Sequence, residues 1–540
     1  MKYISYKESN IKEEERIINN KNYIKEQLKT QEKYFDNMFK KIDPNIKLDQ
    51  EQRKIILTDE DNLMVIAGAG AGKTTTITGK VNYLIEKLEI KEDEIIIITF
   101  TNKAVQELKE RINKEFKHEV KITTFHKLGY EIIKENMNPS PKILKNPDEI
   151  IKKYLEQART QSKQRKKIIQ LKKYIMRYTP KTNKDIIEQI KSYCLKYIAL
   201  VKSNKTENIN VTKKYKKIIQ ILQEIYNYYE TEKQKTNQID FDDMIIKAEQ
   251  IIKETSNIKI KYKYIIIDEY QDISECRFDL IKTITTKNKS KLMIVGDDWQ
   301  CIYGFAASNI NLFTNFKEKV QKCEILKITN TYRNSQQLIN IAGDFIQKNP
   351  NQIKKHLKSA KQHINPVKII KYKTKHNNKK TKIIKLTEIL DYIIKKYGEE
   401  KNILILGRYT FDKNEIIDNE TIIETRNQIK YKKYPNTKIE YMTIHSAKGL
   451  GYDNVILINT KNQKLGFPSK IKTDPILNKL IVIDKTIKYS EERRLFYVAL
   501  TRTKNEIIIM TPQKRQSKFI KELKKQKNVT ISSNINQNQK

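Results

Sequence analysis

The chain has 540 residues, room at roughly 150 per domain for three or four domains with several buried cores. Its 107 Lys and Arg against 65 Asp and Glu give a net charge of +42, which favours a polyanionic partner, nucleic acid ahead of an acidic membrane surface. A composition of 38% hydrophobic residues with 13 Gly and 11 Pro excludes disordered, collagenous and elastic classes, and four scattered cysteines without a CxxC pair exclude a disulfide framework or zinc ribbon.

The amino terminus, Met1-Lys-Tyr-Ile-Ser-Tyr-Lys-Glu-Ser, soon becomes charged and lacks the apolar core of a signal peptide, and no apolar run reaches the length of a membrane span. The expectation is a soluble, cytoplasmic and nucleoid-associated protein without membrane contact. Residues 1–45 carry dense mixed charge and are expected to form a solvated helical arm. Short runs rich in Ile and Val follow at Leu63–Ala67, Ile95–Phe100, Tyr264–Ile267 and Leu292–Val295, then at Ile403–Leu406, Val455–Ile458 and Ile507–Met510. They are too short for typical buried helices and read as strands of parallel sheets covered on both faces. Two clusters of them, on either side of about residue 310, predict two α/β domains of doubly wound type.

Between the pieces of the first cluster, Ser140–Asn237 has almost no strand signal, and Tyr215, Ile218, Leu222, Ile225 and Tyr229 recur at spacings that make one helix face apolar. The expected layout is a first α/β domain over 46–139 and 238–309, a helical insertion over 140–237, a second α/β domain over 310–522, and a frayed tail over 523–540.

Ala67-Gly-Ala-Gly-Ala-Gly-Lys73-Thr74 follows the first strand and precedes a helical stretch over Thr75–Leu88. Small residues at Ala67, Gly68, Ala69, Gly70, Ala71 and Gly72 let backbone amides close around phosphates where the helix starts. Lys73 adds a point charge, the Thr74 hydroxyl suits Mg²⁺, and Thr75 continues the cradle. A nucleoside triphosphatase also needs a second strand ending in acids. Tyr264-Ile-Ile-Ile-Asp268-Glu269 supplies one, with Asp268 to hold Mg²⁺ and Glu269 to orient or deprotonate the attacking water.

Further blocks fall in order along the chain: Leu48-Asp-Gln-Glu-Gln52-Arg53, Thr99-Phe-Thr-Asn-Lys-Ala104, Thr123-Thr-Phe-His126, Asp240-Phe-Asp-Asp243 and Gly296-Asp-Asp-Trp-Gln300 with Tyr303-Gly-Phe305. Then come Thr331-Tyr332-Arg333, Leu406-Gly-Arg408, Met442–Leu450 and Glu492–Arg502. Together they resemble the UvrD/Rep-like DNA helicases of superfamily 1. The phrases Gly296–Gln300, Gln347–Pro350, Gly466-Phe-Pro468 and Glu491–Arg494 narrow the resemblance to the helicase IV-like subgroup. It covers residues 46–522 and leaves the amino-terminal arm unexplained.

The resemblance implies two RecA-like P-loop motor domains that enclose ATP and Mg²⁺, with parallel sheets and an all-helical insertion in the first. Gln52 and Arg53 would read and cover the adenine, Tyr332 would stack near it, and Gln300 would sense the γ-phosphate. Arg333 and Arg502 would reach across as arginine fingers. Asp49-x-x-Gln52 also has capping-box spacing, and the two roles are compatible. For DNA, Phe100, Phe125, His126, Tyr303 and Phe305 would present flat faces or polar edges to unstacked bases. Thr101, Asn102, Thr124, Thr443, His445 and Ser446 would contact phosphates or couple DNA to ATP. Core packing is the competing reading for each aromatic, above all Phe100, and a buried hydrogen-bonding role competes for His445. The Lys213–Lys217 run reads as a solvated face ahead of a DNA track.

Only about 14 of the basic residues are arginine, fewer than a typical protein uses. Yet Arg53, Arg333, Arg408 and Arg502 all fall in these blocks, where a planar fork cannot be replaced by an ammonium. Three departures from the family stand out. The stretch between Arg408 and Thr443 is too short for the large insertion of the best-known relatives, Gly451 stands where the family often has Glu, and Ala306 stands where many relatives have Arg.

The expected function is an ATP-dependent helicase, an ATP hydrolase moving 3′→5′ on single-stranded DNA and unwinding tailed duplexes in repair, recombination or replication restart. It would act as a monomer with repair or replication proteins as further partners. The alternative is a DNA-stimulated ATPase that remodels a protein–nucleic acid complex such as a transcribing polymerase.

Overall fold

The structure is a computed structural model that describes residues 2–40, 46–178, 185–206, 212–373, 378–425, 428–472, 474–482, 484 and 486–535. Its strands in chain order are β1 (Asn62–Ala67), β2 (Ile95–Thr99), β3 (Lys121–Thr124), β4 (Lys142–Ile143), β5 (Gln238–Ile239), β6 (Tyr264–Ile267), β7 (Lys291–Gly296) and β8 (Glu324–Ile328). There follow β9 (Val367–Tyr372), β10 (Ile403–Gly407), β11 (Ile422–Thr425), β12 (Gln428–Tyr431), β13 (Ile439–Thr443), β14 (Asn454–Leu457), β15 (Ile507–Pro512) and β16 (Val529–Ser532).

One six-stranded sheet, all parallel, has the order β3-β2-β6-β7-β1-β8, with Val65 opposite both Val295 and Leu326. The period of two along a strand explains its continuous apolar runs. Leu63 and Val65 pack into one core with Ile95 and Ile97, whereas Met64 and Ile66 pack into the core on the opposite face with Ile96 and Ile98. A strand with cores on both faces cannot afford a polar side.

The second sheet runs β11-β12-β13-β10-β14-β15-β9-β16, parallel apart from the β11–β12–β13 edge. It is filled in the same way, with Leu404 and Leu406 on one face and Ile403 and Ile405 on the other. This is the mixed α/β architecture of two RecA-like motor halves. The first sheet extends beyond the expected division near residue 310, because β8 pairs with β1. Trp299 and Ile302, which follow β7, are instead buried in the core of the second half.

Helices Pro147–Thr160, Ser162–Tyr178, Ile186–Ser203 and Lys216–Lys235 form a separate helical layer. Ile218, Leu222, Ile225 and Tyr229 are buried in its core, which also takes in Ile476, Leu477 and Leu480 from the second half. Positions 179–184 and 207–211 of the expected insertion lie outside the described residues.

Two expectations are overturned at the ends of the chain. The arm is not a solvated extension: Phe35 and Phe39 are buried beside Tyr83, and Arg16 pairs with Glu60 at 2.7 Å, both side chains almost wholly enclosed. Its mixed charge hid an apolar face with two phenylalanines that pack on the first half. The tail does not fray from 523 either, because Val529–Ser532 adds β16 in parallel to β9. Residues 1, 41–45 and 536–540 lie outside the described residues. Among the described residues no helix is long and apolar enough to cross a membrane.

Candidate active site

β1 ends at Ala67, and the chain turns through Gly70 and Gly72, both left-handed at φ 70° and 78°, before Lys73 opens the helix Lys73–Glu86. Glycine is needed at Gly70 for space as well as for φ. A Cβ there would sit 2.5 Å from that of Arg333. The segment bearing Arg333 is docked on the loop: Thr331 Oγ1 donates to the Ala69 carbonyl at 2.8 Å, and the Tyr332 amide donates to the Gly70 carbonyl at 3.0 Å. Gln52 is buried and closes a capping box with Asp49, while its Nε2 donates to Thr76 Oγ1 at 3.2 Å. The Tyr332 hydroxyl donates to Asp49 at 2.9 Å, leaving the ring half exposed beside Gly72. Arg53 follows Gln52 in the same helix. It donates to the Leu48 carbonyl at 2.9 Å and pairs with Asp36 of the arm.

β6 delivers Asp268 and Glu269 next to this loop. Glu269 has a left-handed backbone, φ 52°, its amide donates to Asp268 at 2.8 Å, and its carboxylate is ion-paired with Lys73. Gln271 bridges from Glu269, 2.5 Å, to the amide of Asp297, 2.9 Å. Burial pushes the Asp268 carboxyl up to about 6 against the pull of Lys73. Burial acts on Glu269 in the same direction, but Lys73 and Lys448 outweigh it and hold that carboxyl well below its usual range. Two adjacent acids thus differ in proton affinity because one of them collects the cations.

The second half supplies the opposite wall. Arg502 is fully buried and donates to the carbonyls of Val498, 2.9 Å, and Leu450, 3.1 Å, and to Gln300 Oε1, 3.0 Å. Gln300 Nε2 donates to Asp297 at 2.7 Å, and the other oxygen of Asp297 is paired with the buried Lys355. Burial, reinforced by repulsion from Arg333, lowers the pKa of Arg502 to about 9. Arg333 Nη2 donates to the Gly449 carbonyl at 3.2 Å. A Cβ on Gly451 would lie 3.1 Å from Arg333 Nε, so the glycine leaves room for this arginine.

Lys73, Asp268, Glu269, Gln300, Arg333 and Arg502 all line one cleft of about 580 Å³, together with Gly70–Thr75 and Tyr332. Ala67, Gly68 and Ala69 lie behind it as the buried root of the loop. Thr74 and Asp268 offer hard oxygen donors and the loop a cradle of small residues, a set that fits Mg²⁺ beside a triphosphate.

The residues expected to face DNA divide. Phe100 lines the same cleft but packs against the first-half core, its ring 5.2 Å from that of Phe125. Phe125 is 1% exposed and is a core residue, which removes it as a base platform. The Thr101 and Thr124 hydroxyls cap the helices Asn102–Phe116 and Phe125–Asn136, and Asn102 is exposed. On the second side, Tyr303, Phe305 and His445 form a ring cluster: Phe305 and His445 stand 5.4 Å apart edge to face, and the Tyr303 hydroxyl donates to the His445 carbonyl at 3.2 Å. Thr443 and Ser446 share a 2.9 Å hydrogen bond. Burial lowers His126 and His445 to about 4, assisted by Arg277 and by Arg408 respectively.

Several residues of this site received no role from the sequence. Lys448 is paired with Asp272 and lies 3.5 Å from Glu269 and 5.1 Å from the Tyr303 ring centroid, so it joins the acids to the ring cluster. Nothing distinguishes it in a lysine-rich chain except its place in the Ser446-Ala-Lys448-Gly449 block. Lys355 carries no local signal at all. Phe241, 61% exposed and 5.5 Å from the His126 ring, sits in the noted Asp240–Asp243 block.

A family model described as the UvrD/REP helicase N-terminal domain matches residues 48–321, and one described as the viral superfamily 1 RNA helicase core domain matches residues 247–511. The chain is 27% identical over 502 residues to DNA helicase IV of Escherichia coli (strain K12), covering 88% of this chain and 70% of that protein. It is 29% identical over 374 residues to the ATP-dependent DNA helicase Rep of Buchnera aphidicola subsp. Acyrthosiphon pisum (strain APS), covering 67% and 54%. It is 28% identical over 521 residues to the ATP-dependent DNA helicase srs2 of Schizosaccharomyces pombe, covering 88% and 53%. The chain thus spans about half the length of the last two. With the phosphate loop, the paired acids and the arginines of the opposite half lining one cleft, the chain belongs to the UvrD-like superfamily 1 DNA helicases.

Proposed function

We propose that this protein is an ATP-dependent DNA helicase that translocates 3′→5′ on single-stranded DNA and separates the strands of tailed duplexes. The observation that carries the reading is the shared cleft. Lys73, Asp268 and Glu269 of the first half face Arg333, Arg502 and Lys448 of the second, and the same cleft reaches Phe100 and Tyr303. Closing the halves on ATP brings these groups together, and releasing the product frees them to part.

Thr74 and Asp268 would hold Mg²⁺, which when bound neutralises charge on the phosphates. Glu269, kept ionised by Lys73 and Lys448, orients the attacking water and takes its proton. Arg502, fixed through Gln300, and Arg333 stabilise the charge that develops on the transferred phosphoryl group. Gln52 and Tyr332 flank the adenine end. Single-stranded DNA crosses the rim over Tyr303, Phe305, His445, His126 and Phe241, whose stacking is indifferent to sequence.

The test is unwinding of duplexes with a 3′ or a 5′ single-stranded tail, with wild type beside Lys73→Ala and Glu269→Gln. Strand separation from the 3′ tail, lost in both variants, is expected. Separation only from the 5′ tail reverses the polarity. ATP turnover stimulated by single-stranded DNA without strand separation from either tail would favour a motor that remodels a protein–nucleic acid complex. Turnover retained in both variants would overturn the site.

A further inference from the structure

A second stack of planar groups lies beside the ring cluster. β10 and β13 are parallel neighbours with Gly407 opposite Thr443, and the Ile444 amide donates to the Gly407 carbonyl at 3.1 Å. The segments that leave these strands, Arg408–Phe411 and Ile444–Ser446, therefore emerge together at the carboxyl edge of the second sheet. Ligands of parallel α/β sheets bind at this edge.

Arg408 is clamped by Glu492, from Nε at 3.1 and 3.2 Å and from Nη2 at 2.5 Å, and its guanidinium carbon lies 4.9 Å from the centroid of the Tyr409 ring. Tyr409 is anchored on three sides. Its hydroxyl bonds Ser469 at 2.9 Å, its carbonyl accepts from Tyr441 at 2.6 Å, and its amide donates to Asp412 at 2.9 Å. Phe411 lies parallel to that ring, at 6° with centroids 5.0 Å apart, and is 48% exposed.

A phenylalanine half in water adds little to the core. Stacked on a tyrosine held at its hydroxyl and at both backbone groups, it holds out a flat apolar surface already ordered for a second plane, so binding there costs little further side-chain entropy. The surface leaves β10 beside the turn after β13 that carries His445, and Arg408, the cation against Tyr409, is neutralised by Glu492, which favours a π-face over a phosphate.

We propose that Phe411, backed by Tyr409, is a stacking platform for a nucleobase of single-stranded DNA, extending the contact of the second half beyond His445. The proposal rests on the reading that the strand crosses the rim at Phe305 and His445.

The test measures binding of dT oligonucleotides carrying single 2-aminopurines at successive positions, for wild type, Phe411→Ala, Phe411→Trp and Phe305→Ala, over a range of salt concentrations. Phe411→Ala is expected to weaken binding about fivefold or more, the loss of one stacked base. It should restore the fluorescence of one 2-aminopurine position that wild type quenches. The slope of log affinity against log salt should stay as in wild type, because no phosphate contact is removed. Phe411→Trp should restore both affinity and quenching. If Phe305→Ala weakens binding and Phe411→Ala leaves affinity and quenching as in wild type, the platform is overturned while the rim reading stands. If neither changes binding, the rim reading fails and the platform with it. A changed salt slope in Phe411→Ala would also overturn stacking as the cause.

Discussion

Arg502 of the second motor half donates to Gln300 Oε1 at 3.0 Å, with both side chains buried. Gln300 passes the constraint to Asp297, and Gln271 ties the Asp297 amide back to Glu269. The groups proposed as γ-phosphate sensor, arginine finger and hydrolytic carboxylate therefore share one hydrogen-bonded frame.

Arg502→Lys breaks this frame, because one ammonium cannot reach the Val498 and Leu450 carbonyls and Gln300 together. The expected outcome is a fall in kcat for DNA-stimulated ATP hydrolysis of about 1,000-fold, with KM for ATP far less affected. Steady-state turnover on oligo-dT checks it. An unchanged kcat would remove Arg502 from the transition state.

Lys355 neutralises Asp297 and Asp298, both fully buried, and also donates to the Ala67 carbonyl at 3.3 Å. Lys355→Met leaves two carboxylates without their cation and should cost about 3–5 kcal/mol of stability, read from urea unfolding. A loss below about 1 kcal/mol would mean that the acids find other partners or take up protons.

Gly70→Ala and Gly449→Ala separate backbone strain from crowding. Both glycines have positive φ, but a Cβ on Gly70 meets Arg333 and Thr331, whereas one on Gly449 meets nothing within 4 Å. Both should lose about 1–2 kcal/mol from strain. Only Gly70→Ala should also push the Arg333 segment off the loop and lower ATP turnover, by about 100-fold for a displacement near 1 Å. Equal turnover in the two variants would show that the docking of Thr331–Arg333 is not needed for hydrolysis.

His126 and His445 have pKa values lowered to about 4 by burial, from an ordinary 6.5. Between these values the unfolded chain binds protons that the folded chain refuses. The stability each contributes is therefore complete above about pH 6.5 and is lost as pH falls towards 4. Imidazole NMR titration should show both rings neutral at pH 5.5. His445→Gln should flatten the fall in melting temperature between pH 6.5 and 4.5, and an unaltered slope would contradict the assignment.

The arginines show how much of the site was legible. Arg333 and Arg502 stood out because a lysine-rich chain keeps arginine where a planar fork is needed, and both line the cleft. Arg408 met the same criterion and is spent on Glu492, and Arg53 on Asp36. The chemistry of a side chain says what it can hold, and only its neighbours say what it does hold.

Strands followed the same rule. Ile403–Leu406 and Tyr264–Ile267 are plain in the sequence because both faces are covered, whereas β8, Glu-Ile-Leu-Lys-Ile, lies at a sheet edge with alternate residues exposed and carries no continuous apolar run.

The sequence by itself determined the phosphate loop, the acids after β6, the order of the blocks and hence the family, because these depend on residue type and local spacing. Only the tertiary structure decided that Lys355 and Lys448 are different from their many lysine neighbours, that Phe125 is core while Phe241 and Phe411 face water, and that the charged arm packs on the first half. Those facts are set by burial and by partners far away in sequence, which no local pattern records.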